Sequence, residues 1–255
     1  EHHAVRKAAG LFDISHMGEI AVGGPHAAVF LDHALTNTAS ALSLGEAQYS
    51  LMCNDRGGVI DDLYVYRIAS EAYLLMVNAT RTDTDRHWLE FVRSSRGDGR
   101  TVNIEDQSEQ NGALAIQGPG VALFIDALFR HDGLIGVKHP TDLSKNQIDA
   151  FPFEAGEVFV MRTGYTGEHG YEIFTAPGQT EDIWNALLEA GALPAGLGSR
   201  DVLRLEAGLP LYGHEIHETV TPFEAGLGFG VMGWKNRTFV GSGALPHVHP
   251  PKRKL

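Results

Sequence analysis

At 255 residues the chain can bury a sizeable core in one large domain or two medium ones, and with 43% hydrophobic and 20% charged residues it reads as globular, neither disordered nor fibrous. The excess of 32 Asp+Glu over 20 Lys+Arg gives a formal net charge of −12 at pH 7, which repels a phosphate backbone and argues against general nucleic-acid binding. A single cysteine, Cys53, excludes an internal disulfide and points to a reducing compartment; no apolar run is long enough to span a membrane and no signal-peptide pattern occurs, so a soluble protein is expected.

In chain order, the opening EHHAVRKAAG lacks a methionine and reads as a processed or cut start. SHMGEIAVGG predicts a strand ending in a glycine turn. Pro25 then opens PHAAVFLDHAL as an amphipathic helix packed through Val29, Phe30 and Leu31. Residues 47–80 predict three strands, with turns at Asp55–Gly58 and Ala69–Ala72. DTDRHWLEFVRSS predicts a helix capped by Thr82 or Asp83, with acidic residues in its first turn. GALAIQGPGVALFIDALF repeats the order strand, glycine-proline break, helix. EVFVMRTGYTGEHGYEIFTA gives two strands around a glycine-rich connection. Two further helices are expected, GQTEDIWNALLEAG capped by Thr180 and stopped at Gly191, and the shorter SRDVLRLEAGL capped by Ser199. No internal repeat appears, and strands joined by short turns point to an α+β fold with mainly antiparallel sheets.

Among chemistry-bearing patterns, the 13 histidines show no HExxH spacing, and His214 and His217 sit in a loop without a third ligand set, so no metal site is expected. GPGVAL and GLGFGVMG match neither Walker nor dinucleotide spacing, and no GxSxG elbow occurs. Cys53, between Met52 and Asn54 in a strand, reads as a structural thiol. In RTGYTGEHGYEIF the glycines permit unusual backbone geometry and close approach of a flat ligand. Tyr171 and Glu172 must face opposite sides of their strand, and a carboxylate such as Glu172 can pair with a ring edge carrying adjacent N–H donors; a ligand-free hairpin is the alternative. Arg200 and Arg204 stack on one helix face, either as a solvated ladder with Asp201 and Glu206 or with an arginine aimed into a cavity. In GGVIDDLYVYRI, taken alone, the acidic pair Asp61–Asp62 reads as a polar turn, with its two members on opposite faces.

Five blocks in order, EHHAVRKAAGLFDISHMGEI, YSLMCNDRGGVIDDLYVYR, RTGYTGEHGYEIF, DVLRLEAGLPLYGHEI and TPFEAGLGFGV, resemble the successive signature blocks of the aminomethyltransferase (T-protein) family of the glycine cleavage system. The resemblance implies a cloverleaf arrangement of folate-binding lobes: residues 1–236 would carry two interlocked α/β lobes and 237–255 the start of a C-terminal barrel or a tail, with most of that barrel absent from this chain. It implies methylene transfer from an aminomethyl-lipoyl H-protein to tetrahydrofolate with release of ammonia, in a bacterial cytoplasm or a mitochondrial matrix. Asp62 then matches the catalytic aspartate, leaving Asp61 the turn. Met17, Tyr49, Met76, Asn78, Tyr165, Glu172 and Arg200 match positions that line or grip the folate. Family residues that hold folate from the barrel have no counterpart here. VNATRTDTD departs from the wording common in T-proteins and keeps open folate-dependent demethylation or one-carbon transfer from methylamine, sarcosine or dimethylglycine. A non-enzymatic folate-binding module is the third reading; the assembly-factor branch is disfavoured because no cysteine occurs near TGYTGEHG.

Overall fold

A computed structural model describes residues 1–97, 101–154 and 156–251. In chain order its elements are α1 (His2–Lys7), β1 (Gly10–Asp13), β2 (Gly18–Gly23), α2 (Ala27–Ala34), β3 (Ala47–Cys53), β4 (Val59–Ala69), β5 (Ala72–Val77), α3 (Thr82–Ser94), β6 (Asn103–Asp106), β7 (Gly112–Gln117), α4 (Ile125–Leu128), β8 (Ile148–Phe153), β9 (Gly156–Met161), β10 (Gly170–Thr175), α5 (Pro177–Glu189), β11 (Leu193–Pro194), α6 (Leu197–Glu206) and α7 (Leu245–Val248). They form two compact units, each built from two stretches of chain: residues 1–16 with 108–209, and residues 17–107 with 210–255.

The first unit carries a six-stranded sheet in the order β11-β1-β7-β10-β9-β8. Only β1 and β11 pair in parallel; the other ladders are antiparallel. Leu114, Ile116, Tyr171 and Ile173 alternate onto one face and meet Ile183 and Leu187 of α5 and Phe129 and Phe151 in a closed apolar cluster. The second unit carries a five-stranded antiparallel sheet in the order β3-β4-β5-β2-β6. One face, through Ile20, Leu63, Val65 and Leu75, packs against Phe30 and Leu31 of α2 and Leu89 and Val92 of α3. A second cluster gathers Leu51, Val59, Ile216, Phe223, Leu227, Phe239 and Leu245. The α+β, mainly antiparallel architecture matches the sequence expectation.

Several local expectations need correction. Helix α2 starts at Ala27, past Pro25, and its buried stripe is Ala27, Phe30, Leu31 and Ala34; Val29 falls off that stripe and is 51% exposed. Residue Arg81, not Thr82 or Asp83, occupies the cap position of α3, and the Thr82 hydroxyl donates to the Ala79 carbonyl. Pro177 starts α5 one turn earlier than expected, because its fixed φ suits a first helical position. Thr180 is therefore inside the helix and hydrogen-bonds Thr175. Helix α6 likewise begins at Leu197 after Gly196, and Ser199 donates back to the Gly196 carbonyl. The helix expected after GPG is reduced to a 3-10 turn and the single turn of α4. Gly191, at φ 104°, does end α5 as expected. Among the described residues no helix is long and apolar enough to cross a membrane.

Candidate functional site

In the second unit the site residues sit at the start of β4. The β3–β4 register pairs Tyr49 with Tyr64 and Leu51 with Asp62, so alternation sends Tyr49 and the Asp62 carboxylate to one face. The Tyr49 hydroxyl donates to Asp62 Oδ2 at 2.9 Å, and Asn78 Nδ2 donates to Asp62 Oδ1 at 2.9 Å. Tyr64 packs edge-on to Tyr49 at 5.8 Å, and Phe229 stacks on Tyr49 at 5.4 Å with its own ring 66% exposed. Asp62 remains partly exposed. Burial of its carboxyl, and then the neighbouring Asp61 charge, push its pKa up to about 7 against the hydrogen bonds from Tyr49 and Asn78. Met76 lies opposite Tyr64 and Glu19 in the sheet, and Met17 stands just before the Gly18–Val77 pairing, next to the end of β5.

Asp61 is not a turn residue. It shares its face with Leu63 and Val65, the side covered by α3, and is fully buried. Its two oxygens accept from the Asn78 amide N–H at 3.0 Å and from Asn78 Nδ2 at 2.9 Å. Asn78 thus ties both aspartates together, a bridging role beyond lining a pocket.

In the first unit β10 separates Tyr171 from Glu172 as alternation requires: Tyr171 enters the apolar core, while Glu172 lies on the other face at 8% exposure. Glu172 Oε2 accepts from the Thr163 hydroxyl at 2.5 Å, and its Oε1 lies 4.0 Å from Arg200 Nη2. The Arg200 guanidinium covers the Tyr165 ring at 4.9 Å. Its Nη1 is buried with no hydrogen-bond partner among the described residues. The structure therefore brings Tyr165, Glu172 and Arg200 together in one unit, and Tyr49, Asp62 and Asn78 together in the other.

Arg200 and Arg204 do not form a solvated ladder. Arg204 is 3% exposed and pairs with Asp201 at 2.8 Å, while Glu206 turns instead to Arg6 at 2.7 Å and His2 at 2.8 Å. Arg6 also reaches Glu168 at 3.0 Å and donates to the Thr166 carbonyl at 2.6 Å, tying the glycine-rich connection to α6. Gln117 supports the same connection: its Nε2 donates to the Thr163 and Tyr171 carbonyls, and its Oε1 accepts from Thr166. Gly164 is glycine because a Cβ there would lie 2.0 Å from Gln117 Oε1, so the close approach is made by this chain's own amide and not by a flat ligand. Arg6 and Gln117 escaped the sequence reading; Gln117, a polar residue ending an apolar strand before GPG, was the one legible hint.

The profile of the GCVT N-terminal domain matches residues 1–235. The chain belongs to the aminomethyltransferase family. An aminomethyltransferase of Exiguobacterium sibiricum is 43% identical over 263 residues, covering 100% of this chain and 68% of that protein. One from Thermus thermophilus is 45% identical over 250 residues, covering 96% of this chain and 66% of that protein. The crystal structure of the glycine cleavage system aminomethyltransferase T from Bartonella henselae superposes with a TM-score of 0.84 at 35% identity, covering 97% of this chain and 64% of that one. The chain spans about two thirds of the length of these aminomethyltransferases.

Proposed function

We propose that this chain carries the folate-handling part of a tetrahydrofolate-dependent aminomethyltransferase of glycine cleavage, which takes the methylene of an aminomethyl-lipoyl H-protein and releases ammonia. Residues 1–236 hold that folate-binding region. The observation that carries the reading is the Asp62 carboxylate, fixed from two sides by Tyr49 and Asn78 and poised to ionise near neutrality. Bound tetrahydrofolate would supply a nucleophilic ring nitrogen that accepts the one-carbon unit. Ionised Asp62 stabilises positive charge developing at the reacting nitrogen and carbon, and the two donors hold it in place so that no reorientation is needed as the charge appears. With a pKa of about 7 it can also take up or return a proton at little cost.

The first unit fits the folate ring by its unspent valences. Glu172 is a nearly buried carboxylate suited to a ring edge with adjacent N–H donors. The unpartnered Arg200 Nη1 calls for a carbonyl or anionic oxygen, and Tyr165 adds an aromatic surface. In the second unit, Met17 and Met76 supply adaptable apolar contact on their own side. The lipoylated H-protein is the partner, and the bacterial cytoplasm or the mitochondrial matrix the setting in which such a system works. Incubated with aminomethylated lipoyl H-protein and tetrahydrofolate, the chain should yield methylenetetrahydrofolate and ammonia in equal amounts; no product despite bound tetrahydrofolate would overturn the assignment.

A further inference from the structure

Asp85 occupies the core-facing stripe of α3 with Leu89 and Val92, a position where an ionised carboxylate has no water to solvate it. It is fully buried, and among the described residues neither of its oxygens receives a hydrogen bond from an N–H or O–H donor. Asp61, equally buried, points from β4 to the sheet face that α3 covers through Leu89 and Val92, and its carboxyl is the side-chain partner that Asp85 meets there. The cation that acts on the pair, Arg81, donates to the Ile60 carbonyl at 3.1 Å and to Glu218 at 3.0 Å and stacks on Tyr212 at 4.4 Å. Among the described residues it makes no hydrogen bond to either aspartate. Asp62, the other charge facing the pair, is a carboxyl itself.

We infer that Asp61 and Asp85 share a single proton, so that the buried pair carries one negative charge, and that Asp85 is a positioning residue acting on Asp62 through Asp61 and the bridging amide of Asn78. Two buried carboxylates in contact cannot both ionise, and a carboxyl O–H is the one donor that satisfies an Asp85 oxygen. Burial first, and then their mutual proximity, raise the pair's affinity for that proton. Holding the pair at a single charge fixes Asn78, which gives its backbone N–H and Nδ2 to Asp61 while its Nδ2 also reaches Asp62. The role deepens the proposed function, since it rests on Asp62 being the reacting carboxylate, but the shared proton itself can be read without any transfer assay.

The test is Asp85→Asn, whose amide supplies the donor permanently and leaves the pair at the same charge. Folding of the wild type takes up one more proton than folding of the variant. Between the ordinary carboxyl range and the pair's raised range, the wild-type folding constant should then fall about tenfold more per pH unit than that of Asp85→Asn. The Asp62 midpoint, measured by carboxyl carbon NMR, should stay in place. A pair carrying two charges would give the reverse result, an unchanged pH slope and a lowered Asp62 midpoint, and would overturn the inference. Should the variant not fold, the wild type decides: at about pH 9, two units above the Asp62 midpoint, an infrared band of a protonated carboxyl should remain, and its absence would contradict the shared proton.

Discussion

The Tyr49 hydroxyl donates to Asp62 Oδ2 at 2.9 Å, and this bond opposes the burial that drives the Asp62 pKa upward. Tyr49→Phe removes it without emptying the space the ring fills. A hydrogen bond to a charged group contributes about 1.5–3 kcal/mol, so the Asp62 midpoint should rise by about 1–2 pH units above its starting value near 7. The acid limb of the kcat/KM profile for methylene transfer checks this, because it reports the free protein's ionisation. An unmoved limb would detach Tyr49 from the reacting carboxylate.

Asp62 also links stability to pH. It ionises near 7 in the folded protein and at about 3.9 in the unfolded chain, so over that interval the folded state holds an extra proton. Its contribution is most favourable below about pH 4, declines as pH rises towards 7, and is flat above. Asp62→Asn carries no such charge and should exceed the wild type in stability at alkaline pH by about 1–3 kcal/mol, discounted for the carboxyl's partial exposure. Denaturant unfolding of both proteins across pH measures it, and parallel curves would show that Asp62 is not an unfavourably buried charge.

Arg200 and Glu172 should govern folate affinity. Glu172→Gln gives up a charge-assisted pair and should weaken tetrahydrofolate binding by about 1.5–3 kcal/mol. Arg200→Lys keeps the charge but loses the planar fork and the stacking over Tyr165, and should cost at least about tenfold in Kd. Calorimetry on each variant is the check. Unchanged affinity in Glu172→Gln would return Glu172 to a structural role beside Thr163.

Gln117 holds the glycine-rich connection from beneath. Gln117→Leu leaves the Thr163 carbonyl and the Thr166 hydroxyl without their buried partner and should destabilise the protein by about 1–3 kcal/mol. Cleavage between residues 162 and 169 under limited proteolysis should rise in step. A loss of under about 0.5 kcal/mol would mean that Arg6 alone anchors the connection.

The fold class and most elements were legible because apolar periodicity is dense in these segments, as in Leu114 and Ile116 of β7 or Ile183 and Leu187 of α5. Alternation alone separated Tyr171 from Glu172 and Asp61 from Asp62. It does not say which face α3 covers, so the sequence points to a turn for Asp61, which lies in β4 beneath the helix. The missed signal was helical spacing: Asp85 sits four residues before Leu89 and seven before Val92, which places an acid on the buried stripe. The caps failed at Thr180 and Ser199 because Pro177 and Gly196 start those helices earlier. The partners of Arg6 and Gln117 are out of reach for another reason: they lie far along the chain, and one sequence carries no record of such pairs.

The proposed chemistry turns on the Asp62 carboxylate. The decisive measurement is methylene transfer from aminomethylated lipoyl H-protein to tetrahydrofolate by Asp62→Asn, with tetrahydrofolate affinity measured on the same preparation. Turnover should fall by at least about a hundredfold, as expected for the loss of a fixed charge stabilising the transition state, while affinity changes little. Full transfer by Asp62→Asn would contradict the role assigned to that carboxylate.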